Sequence, residues 1–205
     1  AAILIGVVMA AGCASAPATA PPVRLDFPAP DTGPGRPDLS RADHDAINDG
    51  WRALLKGDPA TARASAAKSP SNAASELLSL QASLVAKDND VVPKLQRMTK
   101  DHSEYAAAWL TLSVAAESSS DEAVALEAAT RGAELWPERR WRNREQSLYR
   151  RYVGERVATA RDLYQAEKAD AALKALEPAL AIDPNNRDAV LLKARALVTL
   201  DQPDR

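Results

Sequence analysis

The pattern of apolar and polar positions divides the chain into three parts. Residues 1–12, which read AAILIGVVMAAG, carry no polar side chain. Residues 14–40 show no regular apolar pattern and hold seven of the fourteen prolines. From about residue 42, apolar residues recur every three to four positions, and turns interrupt them at short intervals. This periodicity is typical of amphipathic helices, so the sequence predicts a helical domain over residues 42–205.

The helical part repeats itself with a period of 34 residues. The clearest unit, residues 106–139, has Trp109, Leu112 and Ala116 in its first helix and Gly132 in its second, with Pro137 after it. Related units begin at 72, 153 and 187. Small residues let two helices approach closely, and proline cannot continue a helix. This pattern resembles the tetratricopeptide repeat (TPR).

The resemblance implies an all-α fold, a TPR-like right-handed helical solenoid of about three to four repeats. Such solenoids form a concave groove that binds a protein or peptide. A generic helical bundle is the alternative. The interval from Pro137 to Pro184 is 47 residues, 13 more than one period. An extra or lengthened helix is therefore expected at 138–152.

The first thirteen residues resemble the start of a bacterial lipoprotein. Residues 1–12 have the length of a signal-peptide apolar region, without the basic region that normally precedes it, which fits a partial signal peptide. Ala10-Ala11-Gly12-Cys13 resembles a lipobox, which implies cleavage before Cys13 and lipid attachment to its sulfur. Ala14 after the cysteine implies the outer membrane, with the domain on the periplasmic face. An ordinary secretory signal is the alternative.

Residues 13–40 are predicted to be the lipidated cysteine and a disordered Pro-rich linker. Proline lacks a backbone donor and favours polyproline II, so this segment is not expected to build a core. Its 27 residues after Cys13 could reach about 80 Å at roughly 3.1 Å each. The segment either holds the domain at a distance from the membrane or is a spacer whose length has no functional importance.

Composition and motifs give no sign of catalysis. The net charge of −2 does not suggest nucleic-acid binding. The chain has two histidines and one cysteine, and it lacks the H-E-x-x-H, G-x-S-x-G and Gly-rich phosphate motifs. We therefore predict a protein without catalytic residues, cofactor, metal or nucleic-acid partner.

Residues 138–156 form a cationic segment with seven arginines and three glutamates. Its apolar residues fall on one helical stripe, which predicts packing, and most arginines lie around the rest of the helix. A solvated face is one interpretation; a docking site for an acidic partner or lipid headgroups is the other. The candidate docking residues are Arg139, Arg140, Arg142, Arg150 and Arg151.

A second candidate site lies in the expected groove. Arg161 and Arg195 occupy position 9 of successive repeats, so stacking should place them on adjacent helices. Tyr164 and Leu191 share the same helix faces. This set could hold carboxylates beside an apolar surface, although both arginines could also remain solvated.

Together these features predict a lipid-anchored scaffold or activator within a cell-envelope assembly complex. The resemblance to TPR lipoproteins implies several candidate envelope complexes, and a complex of peptidoglycan synthesis is one of them. The alternatives are a structural lipoprotein that binds peptidoglycan, and the N-terminal part of a larger envelope enzyme.

Overall fold

The computed structural model describes residues 25–200, which form helices joined by turns and irregular segments. Within this range there are nine helices, and the all-α prediction is confirmed. They are α1 (Arg41–Leu55), α2 (Pro59–Ala66), α3 (Ala73–Val85), α4 (Val91–Asp101), α5 (Ala106–Ser118), α6 (Glu122–Leu135), α7 (Arg139–Gln165), α8 (Ala169–Ile182) and α9 (Arg187–Thr199). None of these helices combines the length and the apolar character needed to cross a bilayer. The predicted signal peptide and Cys13 lie outside the described residues.

Short polar side chains begin several of the helices. The Ser40 hydroxyl accepts the backbone N–H of Asp43, and the Asp43 carboxylate accepts the backbone N–H of Ser40, which forms a capping box at α1. Each cap of this type contributes about 1 kcal/mol. Four more helices begin with a side-chain cap, at Asp58, Asn72, Asp121 and Asn186.

The helices pack in sequence order and form two layers. Each helix contacts the next, and the odd-numbered helices also contact one another in the pairs α1–α3, α3–α5 and α7–α9. This arrangement confirms the predicted TPR-like helical solenoid. Small residues make the close contacts possible: a Cβ on Gly132 of α6 would lie 2.6 Å from Leu110 Cδ2 of α5.

The 13 additional residues lengthen one helix instead of adding another. Helix α7 is 27 residues long, which agrees with the lengthened helix that was one of the two sequence expectations. Trp141 near its start packs with Leu110 of α5. Further along, Val157 and Ala160 belong to the apolar cluster that includes Leu176 of α8. A single helix therefore connects the α5–α6 pair to the α8–α9 pair.

The chain before α1 packs against the solenoid through a series of bends and turns. The Phe27 side chain is 6% exposed, and its ring meets Trp51 of α1 edge to face at a centroid distance of 6.1 Å. Gln81 of α3 donates from Nε2 to the Pro28 carbonyl at 2.9 Å. The Tyr105 hydroxyl donates to the Pro30 carbonyl.

This packing adds residues 25–40 to the folded unit, which was predicted to begin at residue 42. The linker was expected to stay disordered up to residue 40. Instead, residues 25–40 gain apolar contacts from Phe27 and hydrogen bonds from donors on α3 and at the start of α5. Proline-rich chain leaves its carbonyls without internal partners, so outside donors can order it. The rest of the predicted linker, residues 14–24, lies outside the described residues.

Candidate functional site

The four residues of the predicted groove site lie together between α7 and α9. Arg161 and Tyr164 on α7 and Leu191 and Arg195 on α9 line one shallow cleft of about 230 Å³. Helices α7 and α9 contact each other directly, so residues at equivalent repeat positions become neighbours. The expected juxtaposition is therefore present in the structure; whether it binds a partner stays a prediction.

A second cleft of about 330 Å³ adjoins the first and shares Arg161 and Asp188 with it. Gly154 and Ala158 lie on its α7 side and Arg150 at its far end. A Cβ on Gly154 would meet no atom within 4 Å, so the small residues leave open space. We call the two together the α7–α9 cleft.

The electrostatics of the α7–α9 cleft favour an anionic ligand. Three arginines line it, Arg150, Arg161 and Arg195, against the single carboxylate of Asp188. Arg161 Nη2 lies 3.9 Å from Asp188 Oδ2, and both side chains are more than half exposed. Such a loose surface pair contributes little to stability. The Arg161 guanidinium can therefore turn to a ligand carboxylate at small cost.

Apolar and hydroxyl groups stand beside these arginines. Leu191 is 49% exposed and supplies an apolar surface. The Tyr164 hydroxyl lies 3.2 Å from Thr199 Oγ1, which fixes the ring at the edge of the cleft. The cleft thus offers a peptide both a charged and an apolar surface.

The cationic segment divides into structural and exposed arginines. Arg151 Nη1 binds Glu117 Oε1 at 2.8 Å, and its Nε lies 3.4 Å from Glu122 Oε1. Arg140 pairs with Glu138 at 3.2 Å and stacks 4.0 Å from the Trp141 ring centroid. Arg151 therefore holds α7 against α5 and α6, which neither interpretation of the segment predicted, whereas the contacts of Arg140 lie within the start of α7.

The remaining three candidates of that segment, Arg139, Arg142 and Arg150, are exposed. Among residues 25–200 they take part in no ion pair. Arg150 lines the α7–α9 cleft, whereas Arg139 and Arg142 lie at the opposite end of α7. The five candidate residues therefore do not form one continuous surface.

Sequence reasoning missed the carboxylates that neutralise this segment. Arg144 Nη2 binds Glu117 Oε2 at 2.6 Å, and Arg156 Nη1 binds Glu122 Oε2 at 3.2 Å. Partial burial raises the pKa of Glu117, but hydrogen bonds and charge from Arg151 and Arg144 outweigh it, and the net pKa is lowered. Arg151 follows Glu117 by 34 residues, and Arg156 follows Glu122 by 34. The repeat period itself was the signal that could have found both pairs.

Comparisons with known proteins identify the repeat class at the C-terminal end. Residues 163–205 match the family model described as tetratricopeptide repeat. A solved structure titled "Crystal structure of MamA protein" is similar at 18% identity, with a TM-score of 0.38, over 81% of this chain and 86% of that chain. No curated protein matches the chain significantly. A tetratricopeptide repeat points to a protein-interaction scaffold.

Proposed function

We propose that the chain is a lipid-anchored protein-interaction scaffold of the bacterial cell envelope, which binds an acidic segment of its partner in the α7–α9 cleft. One observation carries the proposal: Arg161, Tyr164, Leu191 and Arg195 line a single open cleft. Cationic, aromatic and apolar groups on one surface suit an extended peptide with carboxylates.

The binding strength would come from charge-assisted hydrogen bonds and be supplemented by apolar contact. Each arginine–carboxylate hydrogen bond contributes about 1.5–3 kcal/mol in favourable settings. The exposed position of the cleft lowers this value and makes it depend on salt. Arg150 at the far end adds long-range attraction to an acidic partner.

The cleft can be tested with a fluorescently labelled Glu-rich peptide and its Gln-for-Glu analogue, titrated into the full chain. We expect the Glu-rich peptide to bind with an affinity that falls with salt. Replacing both Arg161 and Arg195 with Ala should weaken it at least about tenfold, about 1.4 kcal/mol.

The matched control removes the same charge elsewhere, by Arg41→Ala with Arg97→Ala on α1 and α4. Both control arginines are exposed and lie outside the cleft. Equal loss of affinity in the two double variants would mean that net charge alone causes the loss. The cleft would then no longer be a candidate binding site.

The anchor part of the proposal is supported by sequence alone, through Ala10-Ala11-Gly12-Cys13. Cys13 is the single cysteine of the chain. Cys13→Ser should therefore abolish incorporation of labelled fatty acid and release the protein from the membrane fraction in bacterial cells. Ala14→Ser retains the cysteine and serves as the control. Lipid labelling that survives Cys13→Ser would contradict the anchor without affecting the cleft.

A further inference from the structure

The lengthened helix α7 adds a further arginine to the α7–α9 cleft. Arg150 lies on the lengthened part of this helix, before the repeat unit that begins at residue 153, whereas Arg161 lies within that unit. We propose that Arg150 is a second anion-binding position, so that the cleft recognises an extended segment with two carboxylates four to six residues apart. The inference rests on the proposed function of the cleft and adds the spacing of charges that the partner must carry.

The two arginines of α7 lie on the same face of the helix. Arg161 follows Arg150 by 11 residues, which is close to three turns of about 3.6 residues. Both line the larger part of the cleft. At a rise of about 1.5 Å per residue, their Cα atoms are roughly 16 Å apart along the helix axis.

This distance selects a spacing of charges in an extended ligand. An extended chain rises about 3.3 Å per residue, and its successive side chains point to opposite sides. Carboxylates on the same side are therefore an even number of residues apart. Separations of four and six residues, about 13 and 20 Å, come nearest to the distance between the arginines, and the flexible arginine side chains can take up the remainder.

Small residues between the two arginines leave room for a peptide backbone. Gly154 and Ala158 are exposed and line the cleft on its α7 side. A Cβ on Gly154 would meet no atom within 4 Å, so a ligand backbone can approach the helix closely there. Val153 and Val157 are buried in the apolar core, which holds this part of α7 in a fixed position.

Both arginines are available to a ligand. Arg150 is exposed and takes part in no ion pair among residues 25–200. Arg161 has only the loose contact with Asp188, at 3.9 Å. Each guanidinium presents a planar fork of donors that fits one carboxylate. Two such forks, held on one helix, can bind two carboxylates of the same segment.

The test uses fluorescently labelled peptides that differ only in the spacing of two glutamates. Four peptides of equal length and composition carry the two residues two, four, six or ten positions apart in an otherwise uncharged sequence. Each is titrated into the full chain and into its Arg150→Ala variant. The variant should bind the peptides with spacings of four and six at least about fivefold more weakly than the wild type, and the other two at most about twofold more weakly.

A second variant blocks the space between the arginines without changing a charge. Gly154→Leu places its side chain in open space, and circular dichroism checks that the fold is kept. It should weaken binding of the peptides with spacings of four and six at least about fivefold. Thr159→Leu is the matched control, because Thr159 is exposed on α7 outside the cleft, and it should leave binding within about twofold of the wild type.

The inference is overturned if Arg150→Ala weakens all four peptides equally, because Arg150 would then act by long-range attraction alone. It is also overturned if Arg150→Ala has no effect, or if a folded Gly154→Leu variant binds as the wild type does. In these cases the Arg161→Ala, Arg195→Ala double variant still tests the cleft separately. If that variant loses the Glu-rich peptide, the proposed function stands without a required spacing.

Discussion

Tyr105 joins two parts of the molecule that are far apart in sequence. Its hydroxyl donates to the carbonyl of Pro30, 75 residues earlier. Burial, and to a lesser degree the charge of Asp31, raises the pKa of this hydroxyl well above its usual range. The folded protein therefore holds Tyr105 in its protonated, hydrogen-bonding form.

This arrangement predicts a stability loss at alkaline pH. An unfolded tyrosine loses its proton near pH 10, whereas folded Tyr105 keeps it to higher pH. Above about pH 10 the unfolded chain binds fewer protons than the folded chain, so the free energy of unfolding falls as pH rises. Urea denaturation across this range should show the fall, and Tyr105→Phe should reduce it.

At pH 7, Tyr105→Phe should lower the free energy of unfolding by about 1–2 kcal/mol, because a buried carbonyl loses its donor. Tyr164→Phe is the matched control, since its hydroxyl meets Thr199 near the surface, and it should change stability by less than about 0.5 kcal/mol. Equal effects of the two substitutions would contradict the role of the buried hydrogen bond.

At the scale of helices, two glycines in similar sequence settings have opposite surroundings. Gly132 of α6 faces Leu110 of α5, whereas Gly154 of α7 faces open space. Alanine favours helix over glycine by about 0.5–1 kcal/mol, but overpacking costs about 1–3 kcal/mol. Alanine substitutions at the two positions therefore measure the effects of helix propensity and of packing separately.

We expect Gly154→Ala to raise the free energy of unfolding by about 0.5–1 kcal/mol and Gly132→Ala to lower it by about 1 kcal/mol. Thermal and urea denaturation of the full chain measure both. A stabilising Gly132→Ala would mean that Leu110 can move aside and that the α5–α6 contact is looser than described.

Much of the helix pattern could be predicted from sequence. The 34-residue period located the helix pairs, and the 13 extra residues correctly implied additional helix at 138–152, now the first half of α7. The same period brought Arg161 next to Arg195. These features follow from local periodicity, which a sequence displays directly.

The order of residues 25–40 could not be predicted in this way. Their composition is typical of unstructured chain, and the donors that order them, Gln81 and Tyr105, are 53 and 75 residues away from their acceptors. In a repeat pattern Gln81 looks like one more polar helix residue. Only the fold shows that it is buried and faces a carbonyl.

At the scale of the molecule, α9 of the 205-residue chain should be less stable than α5. Helix α5 contacts α3, α4 and α6, whereas α9, within the described part of the chain, contacts only α7 and α8. Val190, Leu191 and Val198 of α9 remain exposed. In a solenoid each unit is stabilised by its neighbours, so a helix with fewer of them opens more easily.

Native-state hydrogen exchange should therefore show a lower opening free energy for amides of α9 than for amides of α5. The slowest amides of α5 should approach the free energy of global unfolding measured by denaturant. Uniform protection of both helices would indicate that the long helix α7 couples the whole molecule into one cooperative unit.

The packing of the segment before α1 also limits how far the helical domain can lie from a lipid anchor at Cys13. If Cys13 is lipidated, the chain between it and Leu25 spans 12 peptide units, whose maximum reach is roughly 40 Å at 3.3–3.6 Å per residue. That is about half of what an unpacked linker to residue 40 would allow. The proposed scaffold would then work close to the bilayer surface and meet partners that stand near it.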